Sequence, residues 1–224
     1  MLEVIGLTPD DARAASDGGA DRLELVGTMA EGGLSPTPGL VERVVAASAV
    51  PVRVMLRVRG GFAAGPDEVP ELVSLAAAFA DAGASGLVFG FLDEAGRPDR
   101  PVLDALVAAT ELPWTFHRAL DRASDPDAAL AEVVTLPRLD QVLTAGSDAG
   151  VPDGLPRLLG WAGRGVVMAG GGLAPEHVPA LAAAGIDAFH IGGAARPERS
   201  FSSTIEPELV AAWRTLLDEV LPGH

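Results

Sequence analysis

An imidazole, a guanidinium and a carboxylate stand together in His117-Arg118-Ala119-Leu120-Asp121. A histidine titrating near neutrality in such company can take or give a proton, with Arg118 and Asp121 binding or orienting what it acts on. The same trio also reads as a hydrogen-bonding anchor at a strand end. Glu24 is the second proton-transfer candidate, and His190 the second imidazole at a strand end. Arg57-Val58-Arg59-Gly60-Gly61 sets two guanidinium forks before a glycine pair, which suits a cover over a carboxylate or phosphate. Its other reading is a pair of surface arginines. Ala169-Gly170-Gly171-Gly172 and Ile191-Gly192-Gly193 complete the set, because backbone N–H groups without a neighbouring Cβ can approach an anion closely. Together these residues suggest recognition of, and proton transfer on, a small anionic ligand. His177 and His224 receive no role.

Several classes are disfavoured. The chain has no cysteine, which removes disulfides and thiolate metal ligands. A formal charge of −15 repels phosphate backbones, so nucleic acid is not an expected partner. No apolar stretch approaches the roughly 20 residues of a membrane span, and Met1-Leu2-Glu3-Val4-Ile5 has neither the basic nor the apolar region of a signal peptide. The expectation is a soluble, cytoplasmic protein.

What must position the candidate residues is a chain of alternating strands and helices. Short β-type runs occur at Leu2–Ile5, Arg22–Val26, Val52–Arg57, Gly86–Phe89, Pro113–His117, Leu139–Thr144, Gly165–Ala169 and Asp187–Ile191, each followed by a helical pattern. Thr8-Pro9-Asp10-Asp11, Ser124-Asp125-Pro126 and Ala174-Pro175-Glu176 read as helix starts, with a proline opening and acids in the first turn. Gly18-Gly19, Gly83 and Gly185 read as helix ends. An open doubly wound sheet is the rival architecture, but the repeat count favours closure into a single-domain (β/α)8 TIM barrel over residues 1–224.

Alternation along each strand then sorts the faces. Helices must cover an apolar outer face, so Glu3, Arg22, Glu24, Arg53, Arg57, Thr115, His117 and His190 point into the barrel. Buried charges need partners. Glu3, Arg22 and Arg53, early in their strands, are read as a structural ion-pair plug. Glu24, Arg57, His117 and His190 lie near the C-terminal strand ends, where such barrels carry chemistry.

Several of these segments together resemble the CutC copper-homeostasis family across nearly the whole chain. They include Gly18-Gly19-Ala20-Asp21-Arg22-Leu23-Glu24-Leu25, Glu31-Gly32-Gly33-Leu34-Ser35-Pro36, Arg57-Val58-Arg59-Gly60-Gly61, Thr115-Phe116-His117-Arg118-Ala119 and Met168-Ala169-Gly170-Gly171-Gly172. The resemblance implies a (β/α)8 barrel, a homo-oligomer, and a role in copper homeostasis; it implies no settled reaction, and copper only as the family's cofactor. The chain departs from the family at Val26, where relatives often carry a cysteine, and at Phe62-Ala63-Ala64-Gly65, where acidic and aromatic residues are common. Without a thiolate, Cu(I) would fall to Met29, Met55, Met168 and the histidines, a poor set for a soft cation. No metal ligands are assigned. Three functions follow: copper handling; an enzyme on a small anionic metabolite, phosphorylated ones included, gripped by Arg57, Arg59, Arg118, Gly171, Gly172 and Gly193; or a metal-dependent lyase or isomerase using Glu24, His117 and His190.

Overall fold

The computed structural model describes residues 1–65 and 67–221. Eight parallel strands close into a barrel in sequence order. They are β1 (Leu2–Gly6), β2 (Arg22–Leu25), β3 (Val52–Met55), β4 (Gly86–Phe89), β5 (Trp114–Phe116), β6 (Leu139–Thr144), β7 (Val167–Gly170) and β8 (Ala188–Ile191). Eight helices alternate with them: α1 (Pro9–Asp17), α2 (Pro38–Ala47), α3 (Val69–Asp81), α4 (Arg100–Ala109), α5 (Pro126–Val133), α6 (Val151–Trp161), α7 (Val178–Ala184) and α8 (Pro207–Val220). The expected TIM barrel is therefore present. His224 lies outside the described residues.

Local chemistry sets the helix boundaries. Thr8 Oγ1 accepts from the Asp11 N–H at the start of α1, and Asp125 accepts from Asp127 and Ala128 at the start of α5. Ala174-Pro175 opens a short 3₁₀ turn before α7, where the His177 ring accepts from the Ala174 N–H. Gly185 ends α7 at φ 102°, a left-handed conformation that suits glycine.

The main core lies between strands and helices. Leu23, Leu25, Val54, Phe116 and Phe189 face outward, wholly buried, against helix residues such as Leu72 and Phe79. Phe89 and Trp114 stack on adjacent strands with ring centroids 4.3 Å apart. The inner face carries the polar row, as alternation requires.

Five strands are shorter than the sequence pattern suggests, β8 by a single residue. Val26 and Arg57 lie beyond the ends of β2 and β3, and β7 begins only at Val167. His117 is not in β5 but N-caps a 3₁₀ turn over Arg118–Arg122. These residues belong to the loops at the barrel mouth.

Candidate catalytic mouth of the barrel

The deep interior is a network of paired charges. Arg22 Nε donates to Glu3 Oε2 at 2.5 Å, and Arg22 Nη2 reaches the Met168 sulfur at 3.7 Å. Glu3 is fully buried, and its pKa is pulled down to about 2: the Arg22 charge and the His190 hydrogen bond outweigh the cost of burial. Arg53 donates to Thr115 Oγ1 at 3.2 Å and engages both oxygens of Asp140. Asp140 was not among the inward residues expected; it sits where the β5–β6 register shifts.

One step higher, His190 joins two carboxylates. Its Nδ1 meets Glu3 Oε1 at 2.8 Å, and its Nε2 lies 3.5 Å from Glu24 Oε2. Burial alone would lower the His190 pKa, but the Glu3 hydrogen bond and the two carboxylate charges raise it overall. Glu24 behaves differently from Glu3. Burial is the largest influence on it, and its pKa rises to about 7 despite His190, Arg22 and Arg57 nearby. Its Oε1 is buried and has no hydrogen-bond partner among the described residues.

At the C-terminal strand ends a cavity of about 480 Å³ opens. Glu24, Arg57, His117, Arg118, Gly171, Gly172, His190 and Gly193 all line it. Arg57 is fixed by the loop after β2: its Nε donates to the Gly33 carbonyl at 3.0 Å and its Nη2 to the Glu31 carbonyl. The Arg57 guanidinium also lies over the Phe62 ring, 5.3 Å from its centroid, and Phe62 meets the His117 ring edge-on at 5.2 Å.

His117 requires a correction. It does not titrate near neutrality: burial and the nearby Arg57 charge push its pKa down to about 3. Its Nδ1 accepts from the Ala119 N–H at 3.3 Å, which places the ring proton of the neutral form on Nε2. That Nε2 is buried and has no partner among the described residues. Gly90 makes room for the ring, since a Cβ there would lie 2.7 Å from His117 Nδ1.

Arg118 and Asp121 divide the labour differently than their spacing suggested. Asp121 is buried beneath the mouth and accepts from Arg118 Nε at 2.8 Å, from Thr144 Oγ1 at 2.5 Å and from the Ala145 N–H. It does not line the cavity; it aims Arg118, which does. Gly171, at φ 89°, lies so close that a Cβ would meet Arg118 Nε at 2.6 Å. The Gly172 N–H donates to no group among the described residues. Arg59 is the misplaced candidate: it lies outside the cavity, 56% exposed, with its Nε on Glu68 at 2.6 Å.

The metal-ligand reading is also redrawn. The carboxylate and imidazole atoms that converge belong to Glu3, Glu24 and His190, within 4.8 Å of one another, and His117 is not among them. Arg22 already neutralises Glu3, and the His190 ring bridges the two acids. The sulfurs fare no better. Met168 accepts from Arg22, and Met29 and Met55 line the cavity but pack in the cluster of Val26 and Val88, two thioethers with no thiolate beside them. This donor set does not fit Cu(I), which favours thiolate and free thioether ligands.

Sequence reasoning missed several mouth residues. Arg122, Asp148, Arg199 and Phe201 also line the cavity. Glu31, Glu198 and Arg199 adopt φ of 53°, 51° and 56°, so strained non-glycine backbone gathers at this rim. Asp11, read as a first-turn acid, is 1% exposed and receives both terminal nitrogens of Arg196, at 3.1 and 2.9 Å. Arg196 also donates to the Ile5 carbonyl at 3.1 Å and to the Ser203 carbonyl, and lies over the Phe201 ring. The run Arg196-Pro197 next to the eighth strand offered no signal for that pairing.

Fold and mouth together define a (β/α)8 barrel with a charge-paired interior and a polar cavity at the C-terminal strand ends. Residues 1–195 match the CutC family, and the chain belongs to it. It is 40% identical over 197 residues to the copper homeostasis protein cutC homolog of Homo sapiens, covering 85% of this chain and 72% of that one. A CutC family protein of Xanthomonas campestris is 37% identical over 196 residues, covering 84% and 81%. The CutC structure from Streptococcus agalactiae superposes with a TM-score of 0.77 at 23% identity, covering 86% of this chain and 97% of that one. Thiamine phosphate pyrophosphorylase from Pyrococcus furiosus has a TM-score of 0.61 at 15% identity, covering 98% and 96%. Both structural likenesses speak to the fold alone. No helix among the described residues is long and apolar enough to cross a membrane.

Proposed function

We propose that this CutC-family protein is a cytoplasmic enzyme whose barrel mouth binds and transforms a small anionic metabolite. The supporting observation is the company the cavity keeps. In a chain of net charge −15, its lining gathers Arg57, Arg118, Arg122 and Arg199, against Glu24, Glu31 and the Asp148 that pairs with Arg122, beside the Gly171-Gly172 turn. Guanidinium forks and a free glycine N–H suit carboxylate or phosphate oxygens. Arg118 is the natural anion contact: Asp121 holds its Nε, its Nη2 makes only long contacts with the Ser147 and Asp148 carbonyls at 3.4 and 3.3 Å, and the side chain is 36% exposed. On this reading the family's link to copper runs through a metabolite rather than a protein-bound ion.

Thermal-shift measurements with inorganic phosphate, small carboxylates and sugar phosphates test the proposal. Stabilisation by at least one such anion is expected, with apparent Kd weakened about tenfold or more in Arg118→Ala, the loss of one charge-assisted contact. No stabilisation, or equal stabilisation of the variant, would sink it. So would copper retained at one ion per chain through dialysis, read by elemental analysis.

A further inference from the structure

Among the described residues, Glu24 Oε1 and His117 Nε2 are the buried side-chain atoms of the mouth lining that have no hydrogen-bond partner. Glu24 is 2% exposed and His117 3%. Burying a polar atom unpaired is costly, and such atoms mark places where a ligand completes the hydrogen bonding. The two atoms have opposite character. A carboxylate oxygen accepts a proton. The His117 ring, with Nδ1 committed to the Ala119 N–H, offers only an N–H at Nε2.

From this geometry we propose that the mouth performs an enolisation, with Glu24 removing a proton from a carbon next to a carbonyl and neutral His117 donating to the carbonyl oxygen. The inference rests on the anionic-metabolite reading and names the reaction class for that site. In the forward step the C–H bond breaks and its proton goes to Glu24 Oε1. The C–H electron pair becomes the C=C bond of an enol or enediolate, and the carbonyl π pair moves to oxygen, where the His117 Nε2–H holds it. Returning the proton to the same carbon exchanges or inverts it. Returning it to the neighbouring carbon of a 2-hydroxycarbonyl, with transfer of the hydroxyl proton, gives the isomer. Neither course needs an oxidant, reductant or metal ion.

Other features of the mouth agree. Glu24 is faced by Glu3, His190, Arg22 and Arg57, and burial outweighs the attractive charges, so its carboxyl titrates near neutrality, where a general base works best. His117 is faced by Arg57 and Arg118, whose charges oppose a second ring proton. A neutral imidazole serves as electrophile in this way when its pKa is depressed. Arg118 and the Gly172 N–H are left to hold the anionic group, which fixes the substrate class as a carbonyl compound bearing a phosphate or carboxylate.

The test follows exchange of carbon-bound hydrogen in D₂O by proton NMR. The probes are dihydroxyacetone phosphate, ribose 5-phosphate, pyruvate and oxaloacetate, each also measured for thermal stabilisation of the full chain. A stabilising probe should lose its α-proton signal faster with protein than without. Glu24→Gln should slow this roughly 10³-fold, and His117→Gln roughly 10²-fold, while stabilisation by the anion persists. Stabilisation without exchange in the unmodified protein overturns the inference and leaves anion binding standing; absence of stabilisation removes the anion reading itself. Exchange at the unmodified rate in Glu24→Gln also overturns it. Should that variant not fold, Glu24→Asp keeps the charge and withdraws the carboxylate, and an unchanged exchange rate there counts equally against it. A measurement without substitutions completes the test: ¹⁵N NMR of His117 should show a neutral ring protonated at Nε2 from pH 7 to pH 5. An imidazolium at pH 6, or the proton on Nδ1, would overturn the electrophile.

Discussion

Arg22 and Arg53, deep in the barrel, each meet a carboxylate, whereas Glu24 and His117 at the mouth each present an atom that meets nothing among the described residues. Both regions are buried and built from the same kinds of residue. The difference lies in charge pairing: Arg53 Nε also lacks a hydrogen bond, but its guanidinium is held by Asp140. In the depth, Glu3 receives both Arg22 and His190, and the low-dielectric interior strengthens those contacts while punishing the loss of any partner. At the mouth, the fold spends its arginines on backbone carbonyls and loop acids, and leaves a base and a donor open to the cavity. Charges in the depth serve the fold; at the mouth, Glu24 Oε1 and His117 Nε2 are left to a ligand.

The sharpest way to break this contrast is to unpair the depth. Glu3→Leu leaves the buried Arg22 charge without its carboxylate and His190 Nδ1 without its partner, and chemical denaturation should show a loss of about 3–5 kcal/mol. A much smaller loss would mean that the lower network is not what keeps those charges buried.

The pH dependence of stability separates the two mouth groups. His117 stays neutral in the fold down to about pH 3, while an unfolded histidine takes its proton near pH 6.5, so its contribution falls as pH drops from 6.5 toward 3. Glu24 keeps its proton in the fold up to about pH 7, so its contribution is complete below about pH 4.5 and is lost as pH rises through 7. The two slopes oppose each other between about pH 4.5 and 6.5. Relative to the unmodified protein, His117→Gln should gain stability on acidification through that window, and Glu24→Gln should lose it. Each difference should amount to about 1.4 kcal/mol per pH unit. Parallel curves for all three proteins would show that neither group is held as described.

A smaller effect is expected from Gly90→Ala, whose added methyl group would press on His117 Nδ1. Such overpacking costs about 1–3 kcal/mol, and anion-dependent stabilisation should change with it. Smallest is Arg59→Ala. Its exposed pair with Glu68 predicts a change within about 0.5 kcal/mol and unaltered anion binding. A large loss of binding there would extend the site beyond the cavity.

Much of this architecture was legible because alternation is a strong constraint. Polar residues alternating with apolar ones in β1, β2, β3 and β8 had only the barrel interior to occupy, so Glu3, Arg22, Glu24, Arg53 and His190 were read inward from their neighbours alone. Alternation says nothing beyond a strand's end. Arg57 is placed by carbonyls of Glu31 and Gly33 in a loop bent through left-handed backbone, and Arg59, two residues on, turns away to Glu68. The ionisation of His117 was misread because side-chain type reveals a reference pKa, not burial or the neighbouring Arg57. Asp140 escaped notice because the register shift at β5–β6 breaks the period that would have sorted it.

Asp11 and Arg196 meet across 185 positions of sequence. They join the start of α1 to the loop after β8, beside the seam where β1 pairs with β8. Closing so long a loop costs entropy before any contact rewards it, and contacts of this separation form late. During synthesis, the β1 edge that pairs with β8 must wait until nearly the whole barrel has left the ribosome. The ring then shuts at a single joint, with a buried ion pair as its clasp. The same joint carries Phe201 against the cavity, so closing the barrel also finishes the rim of the mouth.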